Sequence, residues 1–170
     1  RQMERAEIYE ESLRKLIDSG HAYRCYCSKE QLDKEREILQ KTRRPPRYGK
    51  HCRNLTADDW KKKDEEGLPY TIRFKTPPDE KLVVNDLIRG DIIFDTGELD
   101  DFIFIRSNGI PVFLLTNAVD DALMEISHVV RGEDHISNTP KQMLINRALG
   151  MRAPQYLHTA ILLGTDHKKL

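Results

Sequence analysis

The residues best suited to chemistry form one short run in the second half of the chain. They follow the apolar stretch 126–130 and read Arg131, Gly132, Glu133, Asp134 and His135. An apolar strand that stops at a glycine and a group of charges is typical of ligand sites in open α/β sheets, at the carboxyl ends of strands. The sheet holds such charges rigidly and leaves them open to a ligand. We therefore predict a ligand site at this run, the alternative being a surface ion pair of Arg131 with Glu133.

A second chemically distinctive segment is a loop rich in positive charge beside the aromatic Tyr48. Its basic residues are Lys41, Arg43, Arg44, Arg47, Lys50 and Arg53. Phosphate contacts from such a loop would be sensitive to salt and independent of nucleotide sequence. The alternative is a solvated loop whose charge is balanced by acidic residues of the next helix, namely Asp58, Asp59, Asp64, Glu65 and Glu66.

Helices and loops dominate the first part of the chain. A helix is predicted over 3–19, closed by Gly20, whose freedom at positive φ suits a helix end. Ser28 and Gln31 form a capping box that opens a helix to about residue 40. Thr56 and Asp59 cap a third helix that ends at Gly67. An extended segment at 23–27 and a loop at 41–54 separate these helices.

Strands dominate the rest. Segments with strand-like composition between Gly, Asn and Pro turns predict an antiparallel sheet within residues 70–105, with strands at 70–75, 82–84, 91–94 and 102–105. Beyond Ile110 the pattern alternates, with strands at 112–115, 128–131 and 156–163 and helices at 118–125 and 138–149. Alternation predicts a parallel α/β architecture with a boundary near Arg106. Asp120 and Asp121 are candidate helix caps, and His128 and His158 are predicted to be structural.

Composition sets bounds on the class of protein. Of 170 residues, 38% are hydrophobic and 33% charged, with 28 basic and 28 acidic side chains. A nucleic-acid partner would therefore be met by local patches rather than by net charge. No apolar run approaches the roughly 20 residues that cross a bilayer, and no signal peptide opens the chain. Three cysteines fit a reducing compartment, so a cytoplasmic protein without membrane contact is expected. Abrupt ends predict an internal piece of a longer protein.

Several motifs in order resemble glutamyl-tRNA synthetase, a class I aminoacyl-tRNA synthetase. The matching segments are 20–30, 85–91, 100–106, 131–140, 155–158 and 166–170. The resemblance implies an α/β fold: the second half of a class I Rossmann-like nucleotide-binding fold plus an inserted α+β connective domain that grips the tRNA acceptor end. Residues 1–20 would lead out of the first half of the catalytic fold, 21–105 would form the connective domain, and 106–170 the second half of the catalytic domain.

The resemblance also implies an activity, namely ATP-dependent activation of glutamate to an adenylate and its transfer to the 3′ end of tRNA(Glu). Arg131 would pair with a glutamate carboxylate, with Phe113 and Asn117 lining the same pocket. Phe113 stands where many members carry Tyr, which removes a hydroxyl donor. The ATP site would be bordered by Glu133, Asp134, His135, Ile161, Leu162 and Lys169. In the bland alternative, Phe113, Ile161 and Leu162 are simply core residues.

Parts of the family's ATP site are absent from the sequence. The HIGH-type signature lies upstream in this family, and the lysine-rich signature of the KMSKS type stops after Lys169 and Leu170. The expected substrates are L-glutamate, tRNA(Glu) and ATP with Mg²⁺, handled by a monomer, while the fragment alone is expected to be inactive. Other classes left open are a stand-alone RNA-binding module and a small zinc-binding structural domain.

Cys25, Cys27 and Cys52 lie where some members of the family bind zinc through C-x-C followed by C-x-H. The last position here is Asn54, a poor zinc ligand, and a structural site wants four good ligands. His51 or His21 could substitute, although the neighbouring His51 would need a different loop geometry. We therefore expect free thiols and no zinc. The same resemblance favours RNA contact in residues 41–75, with Arg43, Arg44 and Arg47 as the tRNA-binding candidates.

Overall fold

The computed structural model describes residues 2–42, 47–161 and 164–165. Five α-helices and seven strands form along these residues. The helices are α1 (Ala6–Asp18), α2 (Lys29–Lys41), α3 (Ala57–Glu65), α4 (Phe113–Leu123) and α5 (Thr139–Ala148). The strands are β1 (Ala22–Cys25), β2 (Thr71–Phe74), β3 (Lys81–Asp86), β4 (Gly90–Asp95), β5 (Ile103–Ile105), β6 (His128–Gly132) and β7 (Gln155–Thr159).

The ends of the first three helices follow the predicted signals. Gly20 has a φ of +73°, the left-handed conformation that a residue without Cβ adopts at little cost. Ser28 Oγ accepts from the Gln31 amide at 3.2 Å, and the Gln31 side chain accepts from the Ser28 amide at 3.0 Å. Thr56 and Asp59 make the same reciprocal pair at the start of α3. Only the first turn of the predicted helix at 3–19 differs, since Gln2–Arg5 is a 3₁₀ turn.

The strands form two sheets. One is antiparallel, in the order β1-β2-β5, and the other has the order β4-β3-β7-β6. In the second sheet β3 and β4 form an antiparallel hairpin, whereas β7 runs parallel to both β3 and β6. The prediction of one antiparallel sheet within 70–105 is therefore wrong, because the β3–β4 hairpin joins strands from the far end of the chain. The second sheet takes strands from both sides of Arg106, whereas the three strands of the first sheet all precede it.

The segment after Pro111 also differs from its prediction. Residues 112–115 do not form a strand, and residues 118–125 are not a separate helix. Both segments belong to α4, apart from Val112, which is its extended N-cap, and residues 124–125, which follow its end. Leu115, Ala118 and Val119 are buried at helical spacing. Asp120 and Asp121 lie near the end of α4 and cap no following helix.

Strand β6 is an edge strand rather than a buried one. Its burial alternates only weakly, and Val130 is 65% exposed. The main core lies instead between α1, the first sheet, α4 and α5, around fully buried Leu16, Phe104, Leu115 and Ile145. No helix in the described ranges is long and apolar enough to cross a membrane.

Candidate functional site

The carboxyl end of β6 carries the predicted ligand arginine. The Arg131 guanidinium is half-buried and donates from Nε to His158 Nε2 at 3.2 Å and from Nη2 to Thr139 Oγ1 at 2.6 Å. Its carbon lies 5.2 Å from the centre of the Tyr156 ring. Nη1 has no hydrogen-bond partner within the described residues. The fork is thus fixed on one side and free on the other, as binding of a carboxylate requires.

Electrostatics around Arg131 favour an anion. Burial lowers the pKa of Arg131, and the nearby Tyr156, Asp121 and Asp134 oppose that shift. Burial likewise raises the pKa of Asp121, which the positive charge of Arg131 partly offsets. A half-buried cation of this kind is stabilised when an additional carboxylate approaches it.

The two pocket residues predicted alongside Arg131 lie on the first half of α4. Phe113 is 49% exposed, and its ring centre is 5.8 Å from that of His135. Asn117 is half-buried, accepts from Gln142 Nε2 and donates to Asp121 Oδ1 at 3.5 Å. Asp121 therefore contacts Asn117 and is also close enough to Arg131 to be affected by its positive charge. The reading of Phe113 as a core residue is wrong, since half of it faces solvent.

The charged residues after Gly132 form a 3₁₀ helix, Glu133–Asn138. A Cβ at Gly132 would lie 2.6 Å from Asp134 Oδ1, so a larger residue there would displace the Asp134 side chain. Glu133 pairs with Arg89, and the alternative ion pair of Arg131 with Glu133 is therefore wrong. His135 Nδ1 lies 3.1 Å from Asn138 Nδ2. Half-buried Ile161 follows β7, while Leu162 and Lys169 lie outside the described residues.

Sequence reasoning missed the polar groups that hold Arg131. His158 and Thr139 contact the guanidinium directly, and Asp86 accepts from His158 Nδ1 at 2.6 Å. All three residues are buried. The one available signal for His158 was its position as a polar residue inside the apolar run of β7. Its buried contacts agree with the prediction that it is structural.

Comparison with known proteins identifies the architecture. Residues 1–170 match the family model described as tRNA synthetases class I (E and Q), catalytic domain. The chain belongs to this family. It is 49% identical over 170 residues to the glutamate–tRNA ligase of Aquifex aeolicus (strain VF5) and 44% identical over 170 residues to that of Listeria welshimeri serovar 6b. The matches cover the whole chain but 36% and 35% of those proteins.

Solved structures of the family agree with the fold. The glutamate tRNA ligase of Elizabethkingia meningosepticum, crystallised in complex with its amino acid, superposes with a TM-score of 0.88 at 33% identity, over 96% of this chain and 34% of that one. The glutamate-tRNA synthetase of Elizabethkingia anophelis gives 0.88 at 33% identity, over 100% and 36%. The chain thus spans about a third of the relatives it matches, and its mixed α/β sheets are those of a class I synthetase Rossmann-like segment, as predicted.

In this synthetase segment the three cysteines come together. Their sulfur atoms all lie within 4.8 Å of one another, with 3.7 Å between Cys27 and Cys52. The hydroxyl of Tyr48 lies 3.2 Å from the Cys25 sulfur and 3.6 Å from that of Cys27. Hydrogen bonds from Cys52 and Tyr48 lower the pKa of Cys25 despite its burial.

This cluster bears on the expected absence of zinc. His51 pairs with Glu35, so it does not complete the set. Tyr48 Oη, beside the sulfurs of Cys25 and Cys27, adds an oxygen to the three thiols and gives four donor atoms, the number that a structural zinc site uses. Sequence reasoning missed Tyr48, whose spacing of four residues before Cys52 was the available signal. The presence of Asn54 at the expected fourth position therefore does not exclude zinc at this cluster.

The basic segment of this synthetase is only partly available to a partner. Exposed Arg47 donates to the Gly97 carbonyl at 3.1 Å. Arg53 is instead held inside, paired with the buried Asp101 and donating to the Thr76 carbonyl at 2.8 Å. Arg43 and Arg44 lie outside the described residues.

Proposed function

We propose that the chain is part of an ATP-dependent glutamate–tRNA ligase, within which it supplies the amino-acid subsite. The relatives named above are glutamate–tRNA ligases, and the chain aligns with them from end to end. The observation that carries the proposal is Arg131, a half-buried guanidinium held through Nε and Nη2 whose Nη1 has no partner among the described residues. Because a match to one family over the whole chain explains all its motifs, the two alternative classes are not favoured.

Arg131 would bind a carboxylate of L-glutamate, with Phe113 and Asn117 beside it on α4. Glu133, Asp134 and His135, on the 3₁₀ helix next to Phe113, would border ATP together with Ile161, Leu162 and Lys169. In the reaction, the α-carboxylate of glutamate attacks the α-phosphate of ATP and pyrophosphate leaves. A hydroxyl at the tRNA 3′ end then attacks the glutamyl carbonyl of the adenylate, and AMP leaves. The role of this chain is to hold the amino acid in line with the phosphate, since such transfer depends on positioning and on charge.

Residues 21–105 would contact the acceptor end of tRNA(Glu) through the basic segment with Arg43, Arg44 and Arg47. The family implies ATP as a substrate, and Mg²⁺ would accompany its phosphates. The remaining part of the ATP site would come from outside this segment. From the same family resemblance we propose that the ligase acts as a monomer.

A chimera tests the assignment. This chain replaces the matching third of the Aquifex aeolicus ligase, and glutamate-dependent ATP–pyrophosphate exchange is measured. Arg131→Lys should raise the KM for glutamate more than about tenfold, since a point charge replaces a planar fork. Arg147→Lys is the matched control, because Arg147 lies on exposed surface in a pair with Glu80.

Two results would contradict the proposal. A folded chimera without ATP–pyrophosphate exchange would contradict the proposal that the chain is part of a glutamate–tRNA ligase. An Arg131→Lys variant with an unchanged KM for glutamate and a raised KM for tRNA would move Arg131 out of the amino-acid subsite.

A further inference from the structure

The turn between β3 and β4 (residues 86–90) belongs to a segment that resembles the family, and two of its residues, Asp86 and Arg89, contact residues of the site. It lies against β7, because the Leu87 amide donates to the Tyr156 carbonyl at 3.0 Å. The first residue of this turn, Asp86, has a side chain with no exposure to solvent. A buried carboxylate is costly unless donors surround it, so its contacts indicate what it does.

Asp86 is surrounded by four donors. Oδ1 accepts from the amides of Ile88 and Arg89, each at 2.9 Å. Oδ2 accepts from the His158 amide at 3.0 Å and from His158 Nδ1 at 2.6 Å. Burial raises the pKa of Asp86, but these hydrogen bonds outweigh burial and leave it below its usual value. Asp86 is therefore an anion whose two oxygens both serve as acceptors.

The contacts of His158 determine which ring nitrogen carries its proton. Arg131 Nε can only donate, and it points at His158 Nε2. Thr139 Oγ1, 3.0 Å from the same Nε2, accepts from Arg131 Nη2 and donates to the His135 carbonyl at 3.5 Å, so it does not require a proton on Nε2. Nε2 must then be an acceptor without a proton. The ring is neutral, protonated on Nδ1, and Nδ1 donates to Asp86.

These contacts form a chain of hydrogen bonds that ends at the free edge of the arginine. Asp86 selects the tautomer of His158, and that tautomer presents the lone pair that receives Arg131 Nε. The opposite tautomer would place one N–H against another and turn the guanidinium away. Arg89, in the same turn, donates to the His158 carbonyl at 3.2 Å and pairs with Glu133. One turn therefore contacts Glu133 directly and Arg131 through His158.

We propose that Asp86, acting through His158, is a positioning residue for Arg131, and that the turn at 86–90 sets the direction in which this arginine meets its carboxylate ligand. The proposal rests on the proposed function in one respect only, the identity of that ligand as glutamate. The orientation of Arg131 by Asp86 can be measured without any substrate.

The first test is the tautomer of His158 in the 170-residue chain. In long-range ¹H–¹⁵N spectra, the protonated and unprotonated ring nitrogens differ in chemical shift, and His158→Gln assigns the signal among the six histidines. We expect a proton on Nδ1 and none on Nε2. A proton on Nε2 in the unsubstituted chain would overturn the proposal without any further variant.

The second test is Asp86→Asn. An amide cannot accept on both sides, so its NH₂ group must face either His158 Nδ1 or the amides of the turn. We expect His158 to change tautomer and the Arg131 Nε proton to exchange with water about tenfold faster, as loss of one hydrogen bond predicts. An unchanged tautomer and an unchanged exchange rate in folded Asp86→Asn protein would overturn the proposal.

Asp101→Asn is the matched control, because Asp101 is equally buried and accepts from Tyr23 and from the Thr76 amide, but beside the other sheet. It should weaken stability and leave Arg131 unchanged. If Asp86→Asn does not fold, His158→Asn keeps the donor towards Asp86 and removes the acceptor for Arg131. It should release the Arg131 Nε proton in the same way, and a slow Nε proton in this variant would count against the proposal.

Kinetics in the chimera separate this proposal from the proposed function. Asp86→Asn should raise the KM for glutamate about five- to tenfold with the KM for ATP unchanged. If Arg131→Lys leaves the KM for glutamate unchanged while the spectra follow Asp86, the ligand is misassigned and the positioning role stands. If Arg131→Lys raises that KM and Asp86→Asn does not, the positioning role is wrong.

Discussion

Arg53 is counted by sequence among the basic residues of a candidate RNA-binding loop, but its contacts predict a different behaviour. Its side chain is 16% exposed and is paired with Asp101, whose side chain is fully buried. Its other terminal nitrogen donates to the Thr76 carbonyl. Replacing Arg53 with Ala should therefore affect the free energy of unfolding and leave the salt dependence of tRNA binding unchanged.

The size of the effect follows from what remains around Asp101. Breaking a buried ion pair by removing one partner costs about 3–5 kcal/mol, because the other charge stays buried. Asp101 keeps two donors, Tyr23 Oη at 2.7 Å and the Thr76 amide at 3.1 Å. We therefore expect the lower end, about 3 kcal/mol, from a total of about 5–15 kcal/mol for a domain.

Urea unfolding measures this loss. Trp60, the single tryptophan, lies on α3 with the Arg24 guanidinium 5.6 Å from its ring centre, so its fluorescence reports on folding. Arg47→Ala is the matched control and should stay within about 0.5 kcal/mol, because Arg47 is exposed and makes one hydrogen bond. A loss below about 1 kcal/mol for Arg53→Ala would show that the remaining donors neutralise Asp101, and would refute the reasoning.

Three further predictions concern RNA, metal and pH. Neutralising the three candidate tRNA-binding residues together (Arg43, Arg44 and Arg47) should flatten the slope of log affinity for tRNA against log salt by about 2–3, and identical slopes would place the RNA contact elsewhere. Zinc added to the reduced chain should bind at one site. Zinc binding should be lost in the Cys27→Ser variant and weakened in the Tyr48→Phe variant. If metal analysis finds no bound zinc in the unsubstituted chain, the expectation of free thiols holds. Burial raises the folded-state pKa of Asp121, so its stabilising contribution is present below its unfolded pKa and lost as pH rises through the folded value. Asp121→Asn should therefore raise the urea midpoint at pH 7 and not at about pH 3, and equal gains at both pH values would contradict this origin.

Local signals in the sequence predicted most of the elements. Capping boxes at Ser28 and Thr56 and the glycine at position 20 were sufficient, because each depends on neighbours within a few residues. Residues 112–115 could not be predicted in this way, since four apolar residues in a row fit a buried strand and a buried helix alike. The helix is favoured there by packing of Leu115, Ala118 and Val119 on the core, which involves distant segments.

A family resemblance predicts the site residues Arg131, Phe113 and Asn117, and their roles stay predictions. The groups that orient Arg131 could not be found, because Asp86 and His158 are 72 residues apart and meet only through the parallel pairing of β3 and β7. Tyr48 has only its spacing before Cys52 as a local signal, since its contact with Cys25 joins residues 23 positions apart.

The path of the chain between the two sheets has a consequence for how the protein can be divided. The chain passes from one sheet to the other after β2, returns after β4, and leaves again after β5. Consequently, a cut near Arg106 would part β7 from β3, and α4 and α5 from the aromatic residues they cover. Neither piece would keep a closed core, so the halves should not be expressible as independent folding units, and unfolding should be a single cooperative event. Many of the pairings that close the sheets join residues far apart in sequence, a topology that slows folding and exposes strand edges while it proceeds.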